Sequence, residues 1–183
     1  MSIALSIATG LALAAAAGFR AFVPLLAAGL AIHFGYVEPA PGFAWLGEPL
    51  VLIALAVATL VEIAAYYIPG VDHVLDVISA PVAVAAGILA AAGVMVGMPD
   101  WARWLTAISA GGILATTGHA LNAVGRAKTG LASGGAGNPV YSTGELAGSL
   151  VLSAFALLLP VLAIVALIVI AIIAVQRWRR RRV

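Results

Sequence analysis

The chain has 183 residues, of which 64% are hydrophobic and only 9% are charged, and its mean hydropathy is +1.16. A soluble domain typically has about 45–50% apolar and about 25% charged residues. The composition therefore excludes soluble enzymes, coiled coils, disulfide scaffolds and disordered tails, and it indicates a small polytopic membrane protein. Because the chain has no cysteine, thiolate catalysis, iron–sulfur ligation and cysteine–zinc sites are also excluded.

The net charge of +2 arises from the C-terminal end of the chain, because five of the nine basic residues lie in the last seven positions. An arginine cluster directly after an apolar run is typical of a cytoplasmic flank that also contacts anionic lipid. We therefore expect one transmembrane domain over 1–176 and an Arg-rich cytoplasmic tail over 177–183, in the inner (cytoplasmic) membrane. Nucleic acid is not an expected partner. The cluster comprises Arg177, Arg179, Arg180, Arg181 and Arg182.

Five apolar blocks follow one another along the chain, and each is long enough for a spanning helix, which needs about 20 residues. Turn residues separate the blocks, and no block shows the alternation of a strand. The predicted fold is an all-α polytopic transmembrane helix bundle with five or six spans. The blocks cover residues 3–34, 49–68, 73–97, 101–125 and 143–176.

The first and last blocks are too long for one perpendicular span. As single helices they would be about 48 Å and about 51 Å long, against a hydrocarbon core of about 30 Å. The first block contains Gly18, Arg20 and Pro24 near its middle, and the last contains Pro160. We therefore expect both blocks to be kinked, broken or folded back. A folded-back last block gives six crossings and a single span gives five, and the sequence leaves both open.

Two ionisable residues lie far from the ends of their blocks. An ionisable group in hydrocarbon costs at least ~2.5–3.5 kcal/mol, so it needs a partner, a cavity or a role. Arg20 lies in the middle of the first block, and Glu62 lies deep in the second. We expect these two residues to pair. The pair is either a structural tie between helices or part of a substrate or proton site.

Polar residues also form stripes at helical spacing. Thr59, Glu62 and Tyr66 share one face of the second block, and a longer stripe runs along the fourth. Such a stripe should face the interior of the bundle, where it lines a hydrated path or bonds neighbouring helices. The longer stripe comprises Ser109, Gly112, Thr116, His119, Asn122 and Arg126.

Two further polar pairs lie at predicted helix starts. Asp72 is expected to cap the third helix, with Asp76 one turn further on, and the pair lacks the about six oxygen ligands of a typical divalent cation site. Ser142 and Glu145 have the spacing of a capping box. We expect no metal and no cofactor.

Small residues recur at helical spacing in the first block. Gly10, Ala14 and Gly18 form a stripe that allows helices to approach closely, either within the bundle or between copies of the chain. We therefore expect a homo-oligomer, with membrane lipids as the other partners.

Three sequence elements together carry a resemblance to a known family. They are Gly18-Phe19-Arg20-Ala21, Ile68-Pro69-Gly70-Val71-Asp72 after Glu62, and Asn138-Pro139 before Ser142 and Glu145. The chain resembles the domain of unknown function 4126 family of uncharacterised bacterial integral membrane proteins. The resemblance implies an α-helical membrane protein and no established activity.

The function expected from these observations is non-enzymatic. We expect a small transporter or channel for a small polar or anionic solute or ion, with proton coupling through buried Arg, Glu and His. Two alternatives stay open, namely a protein that binds or translocates lipid headgroups and a membrane scaffold or assembly partner. The expected path comprises Arg20, Thr59, Glu62, Tyr66, Thr116, His119 and Asn122, with Asp72, Asp76, Ser142 and Glu145 as secondary polar residues.

Overall fold

The computed structural model is all-helical over the part of the chain that it describes. This part comprises the backbone of residues 1–67 and 71–160, the side chains of 1–67 and 78–160, and residues 162, 165, 169 and 176. A 3₁₀ turn covers Ala44–Gly47, and a π-helical turn covers Ala107–Gly111. The α-helices are α1 (Ile3–Ala17), α2 (Phe22–His33), α3 (Pro49–Tyr66), α4 (Val71–Val94), α5 (Asp100–Thr106), α6 (Gly112–Ser133) and α7 (Asn138–Leu158).

The first apolar block folds back on itself as a helical hairpin, so its predicted break is confirmed. Near the start of α1, the Ser6 hydroxyl donates to the carbonyl of Val96 at 3.1 Å. After the end of α2, the Ala40 N–H donates to the carbonyl of Gly93 at 2.8 Å. Because both ends of the block meet the same end of α4, α1 and α2 run in opposite directions. At 1.5 Å per residue these helices are only about 22 Å and about 18 Å long, too short to cross a bilayer core of about 30 Å.

Small residues let α1 pack in the centre of the bundle. A Cβ atom on Gly18 would lie 2.8 Å from the Cα atom of Gly118, and one on Gly10 would lie 2.9 Å from the carbonyl oxygen of Ala91. Ala14 lies between them and is fully buried. The predicted stripe of small residues is therefore confirmed as a contact within the bundle, where α1 lies directly against α4 and α6.

Two helices of the described part are long and apolar enough to cross a membrane, namely Pro49–Tyr66 and Asn138–Leu158. Ile3–Ala17, Phe22–His33 and Ile78–Val94 are apolar but shorter. The predicted all-helical class is thus confirmed, with two candidate membrane spans in the described part, and the number of five or six spans stays a prediction.

The capping box predicted at Ser142 and Glu145 is wrong. Helix α7 begins at Asn138, with Pro139 in its first turn, where the missing N–H of proline has no cost. Ser142 and Glu145 therefore lie inside the helix, and both are buried. Their spacing of three residues places them on one face of α7 and not at its start.

The last apolar block is interrupted at its proline, as predicted. Helix α7 ends at Leu158, and Leu159 leaves the helical conformation immediately before Pro160, because a proline ring disfavours helix at the preceding residue. The course of the rest of this block and the Arg-rich cluster at 177–183 lie outside the described residues. The side chains of Asp72 and Asp76 also lie outside them.

The end of the bundle that carries the α2–α3 loop is tied together by a buried arginine. Arg103 on α5 donates from Nη2 to the carbonyl of Pro41 at 3.2 Å and forms an ion pair with Asp100 at 3.0 Å. Its guanidinium also lies 5.7 Å from the centroid of the Phe43 ring. A second buried arginine thus holds this end of the bundle together, and it is distant in sequence from Arg20 at the tip of the hairpin.

Candidate functional site

The tip of the α1–α2 hairpin places Arg20 in the interior of the protein. Its side chain is fully buried, its Nη2 donates to the carbonyl of Ser142 on α7 at 3.1 Å, and the same nitrogen lies 3.6 Å from Glu145 Oε2. Glu62 also interacts electrostatically with Arg20, but more weakly than Glu145 does. The predicted pairing of Arg20 with Glu62 is therefore corrected, because its direct carboxylate partner is Glu145.

Glu145 joins two arginines from different parts of the chain. Arg126 on α6 is hydrogen-bonded and ion-paired through Nη2 to Oε2 of Glu145, the same oxygen that faces Arg20. The guanidinium carbons of Arg20 and Arg126 each lie 4.1 Å from the centroid of the Tyr66 ring on α3, within the range of a cation–π interaction. These four buried residues, Arg20, Tyr66, Arg126 and Glu145, form what we call the tip cluster.

Glu62 holds the backbone of the hairpin tip. Its Oε1 accepts the N–H of Ala21 at 2.9 Å, and its Oε2 accepts the N–H of Phe22 at 3.2 Å. The first N–H groups of a helix have no partner within the helix, and a carboxylate there also complements the helix dipole. Glu62 therefore caps α2 from a neighbouring helix, and it also interacts electrostatically with His119 on α6.

The other side of the break is satisfied by α6 and α7. Asn122 donates from Nδ2 to the carbonyl of Gly18 at 3.1 Å, and Ser149 donates to the carbonyl of Ala16 at 3.1 Å. Gly18 is the residue that follows α1. The Ala16 carbonyl also accepts the backbone N–H groups of Phe19 at 3.0 Å and Arg20 at 3.3 Å, so α6 and α7 add hydrogen bonds at the break. A broken helix inside an apolar bundle thus obtains its missing hydrogen bonds from side chains on three other helices.

The structure brings together most of the residues predicted for the path. Thr59 and Thr116 make their hydrogen bonds within their own helices. The Thr59 hydroxyl donates to the carbonyl of Leu55 at 2.8 Å, and the Thr116 hydroxyl donates to the carbonyl of Gly112 at 2.7 Å. The predicted residues that contact the tip or line its surroundings are Arg20, Glu62, Tyr66, Asn122, Ser142 and Glu145.

Arg126 was not predicted as a site residue. It is the last member of the polar stripe on the fourth block, one turn after Asn122. Because the apolar block ends at residue 125, the sequence suggests that Arg126 lies in a loop. The helix in fact continues to Ser133, so Arg126 lies inside α6 and is 3% exposed. The position of Arg126 in the polar stripe is the sequence feature that could have indicated that its side chain faces the interior.

The tip cluster has the chemistry of an anion-binding site. It contains two guanidinium groups and one carboxylate, and Arg20 has two nitrogens, Nε and Nη1, without a hydrogen-bond partner among the described residues. The buried hydroxyl of Ser142 has no partner there either. A buried polar group without a partner costs about 1–3 kcal/mol, so an anionic group at this point would be bound favourably. No group of three metal-ligating side chains occurs in the described part.

A cavity of about 600 Å³ lies beside the tip, between α2, α3 and α4. Its walls are mostly apolar, and Glu62, Tyr66 and Ser79 lie together at its polar end. The hydroxyls of Tyr66 and Ser79 are hydrogen-bonded at 2.9 Å. Glu62 and Tyr66 therefore face both the hairpin tip and this cavity.

The comparison with protein families agrees with the resemblance carried by the tip residues. Residues 7–180 match the model of the family described as Domain of unknown function (DUF4126). The chain belongs to the DUF4126 family. No curated protein and no solved structure matches the chain. The segment that matches DUF4126 includes α1 from residue 7 onward, all of α2 and every residue of the tip cluster.

Proposed function

We propose that the protein is an integral membrane transporter for a small anionic solute, which binds at the tip cluster. The observation that carries this proposal is the pair of buried arginines on one carboxylate, with two nitrogens of Arg20 unpartnered among the described residues. A charge in a membrane interior is costly and typically marks a pathway. The broken helix supports the same reading, because broken helices in membrane proteins commonly surround a solute site.

In the proposed mechanism the hairpin tip supplies the binding point. Arg20 contacts the anion through Nε and Nη1, and Glu145 holds the guanidinium in place through Nη2. Glu62 and His119, which interact with each other, provide groups that exchange protons near the site. Proton coupling through these two residues is part of the proposal.

The proposal is tested by uptake into proteoliposomes. The probes are chloride, radiolabelled inorganic phosphate and radiolabelled succinate, each compared with protein-free vesicles. We expect at least one of the three to enter faster with the protein. We also expect Arg20→Lys to slow that uptake by about tenfold or more, because a lysine lacks the planar donor fork of arginine. A protein that moves none of the three would contradict the proposal.

Arg103→Lys is the matched control. Arg103 is buried like Arg20, and its Nε and Nη1 also have no partner among the described residues, but it bonds Pro41 and Asp100 at the other end of the bundle. The transport proposal requires that Arg103→Lys leaves uptake unchanged. If both lysine variants lose uptake equally, the effect is one of folding and the assignment of Arg20 to the solute site is wrong.

The location and the assembly of the protein are part of the same proposal. We place it in the cytoplasmic membrane with the C-terminus in the cytoplasm, on the basis of the arginines at 177–182. A homo-oligomer, and contact of these arginines with anionic lipid, also stay proposals. In the scaffold alternative the tip cluster is only a structural tie, and none of the three probes is then transported.

A further inference from the structure

The cavity beside the hairpin tip has the shape of a groove along α3. Its lining residues on this helix run from Ala54 to Tyr66 through Val57, Val61 and Glu62, which is one helical face. Twelve residues of helix correspond to a groove about 18 Å long. The groove is apolar along most of this length, and its polar groups lie at one end.

The groove is open on the side that would face lipid. Val57 is 55% exposed, Val61 is 62% exposed and Ile78 on α4 is 58% exposed, although all three line it. Within the described residues, helix α3 is one of two helices long and apolar enough to cross a membrane. A groove open at this position is filled by hydrocarbon when α3 lies in a bilayer, because water does not enter the core.

The polar end of the groove favours a ligand with a cationic hydrogen-bond donor. Glu62 lines the groove and is only partly buried, and its carboxylate accepts two N–H groups from the hairpin tip. A carboxylate has about four lone-pair sites, so about two remain. A carboxylate that faces hydrocarbon costs free energy, and a cationic donor at the remaining lone pairs lowers that cost. The end of the groove also offers the hydroxyls of Tyr66 and Ser79.

We propose that this groove is a binding site for a phospholipid with an ammonium headgroup, such as phosphatidylethanolamine. One acyl chain lies along α3 between Ala54 and Val61, and the ammonium group bonds to Glu62. The phosphate accepts from whichever of the Tyr66 and Ser79 hydroxyls does not donate to the other. The position suits a headgroup, because Glu62 lies about 6 Å from the end of α3. This site shares Glu62 and Tyr66 with the surroundings of the hairpin tip, but its lipid lies in the groove, whereas the proposed anion site lies on the buried nitrogens of Arg20.

The test is native mass spectrometry of the full chain from nanodiscs that contain equal amounts of phosphatidylethanolamine and phosphatidylglycerol with the same acyl chains. We expect the wild-type protein to retain phosphatidylethanolamine in preference to phosphatidylglycerol by about tenfold, the effect of one charge-assisted hydrogen bond. Glu62→Gln keeps an oxygen for the hairpin tip but loses the charge, so this preference should fall to about one. Equal retention of the two lipids by the wild type would refute the assignment of the headgroup.

Ala58→Phe tests the acyl-chain part of the groove, because Ala58 lines it. Ala64→Phe is the matched control, since Ala64 is exposed on the same helix but does not line the groove. We expect Ala58→Phe to lose retained lipid and Ala64→Phe to keep it. Ala54→Phe, one turn further along the groove, replaces Ala58→Phe if that variant does not fold. Equal lipid retention in the groove variant and the control overturns the proposal.

A second copy of the chain is the main competing occupant. In that case Ala58→Phe changes the oligomeric mass while the retained lipid stays the same, which also overturns the proposal. Uptake of chloride, phosphate and succinate is also measured with Arg20→Lys and Ala58→Phe. Glu62 belongs to both proposals, so these two variants distinguish the loss of transport from the loss of lipid retention.

Discussion

At the scale of single residues, Glu145 is the carboxylate that links two buried arginines. One carboxylate oxygen serves Arg20 and Arg126, and its side chain is 2% exposed. Removing the charge of Glu145 takes an ion-pair partner from both arginines, and breaking a buried ion pair in this way is usually costly. The Tyr66 ring also stabilises both guanidinium groups through cation–π interactions.

We expect Glu145→Gln to lower the free energy of unfolding by about 3–5 kcal/mol, because two buried guanidinium groups then share no carboxylate. The measurement is a denaturation titration in detergent micelles. Glu38→Gln is the control, since Glu38 is exposed in the α2–α3 loop and should leave the stability unchanged. A loss for Glu145→Gln no larger than that of the control would show that the cluster contributes little to stability.

At the scale of elements, the α1–α2 hairpin depends on two devices. The first is the cap that Glu62 provides to the N-terminus of α2, and the second is the close approach of Gly18 to α6. Both act at the break of the first apolar block. Without them the four residues between α1 and α2 would expose backbone groups in an apolar interior, where each unsatisfied group is costly.

The cap is tested with two substitutions at one position. Glu62→Ala removes both acceptors and should destabilise the protein by about 1 kcal/mol, the usual value of a helix cap. It should also speed hydrogen exchange at the amides of Ala21 and Phe22. Glu62→Gln keeps one oxygen acceptor and should have the smaller effect on exchange. Equal exchange in both variants and the wild type would contradict the capping role.

The close approach is tested with a matched pair of glycines. Gly18→Ala should destabilise the protein by about 1–3 kcal/mol, because its Cβ would lie 2.8 Å from the backbone of α6. The backbone angle at Gly18, φ −65°, is compatible with alanine, so the effect is steric. Gly144→Ala is the control: nothing lies within 4 Å of its Cβ position, and in a helix interior it should be stabilising by about 0.5–1 kcal/mol. Thermal unfolding of both variants separates the steric effect at Gly18 from the general effect of alanine on helix stability. An equal loss of stability in both variants would contradict the close contact of Gly18 with α6.

At the scale of the whole molecule, the hairpin changes the way in which the chain meets a bilayer. A first block that crossed the membrane would place residues 2 and 36 on opposite sides. The structure places both ends of the block against the same end of α4. The tip of the hairpin therefore lies within the bundle, and the tip cluster forms where it meets α3, α6 and α7.

The hairpin is tested with single cysteines, for which the chain offers a background without native cysteine. Ser2→Cys and Tyr36→Cys should react with a membrane-impermeant maleimide from the same side of a vesicle, and Leu131→Cys should react from the opposite side. All three positions are exposed, and Leu131 lies near the far end of α6. Reaction of positions 2 and 36 from opposite sides would show that the first block spans the membrane.

The sequence by itself determined the helical class, the break in the first block and most of the polar residues that face the interior. These follow from local rules, namely the length of apolar runs, the cost of buried charge and the period of the helix. Gly18 and Arg20 marked the break, and the stripe through Asn122 marked the inner face of α6. Membership in the DUF4126 family followed from the same residues.

Only the tertiary structure decided which charges pair. Arg20 meets Glu145, 125 positions later, and not Glu62, because the hairpin turns its tip towards α7 while Glu62 is taken by the N–H groups of Ala21 and Phe22. Arg126 joined the cluster because α6 continues beyond the apolar block. Spacing along a helix fixes which residues share a face, but which faces meet is decided by the packing of helices that are distant in the chain.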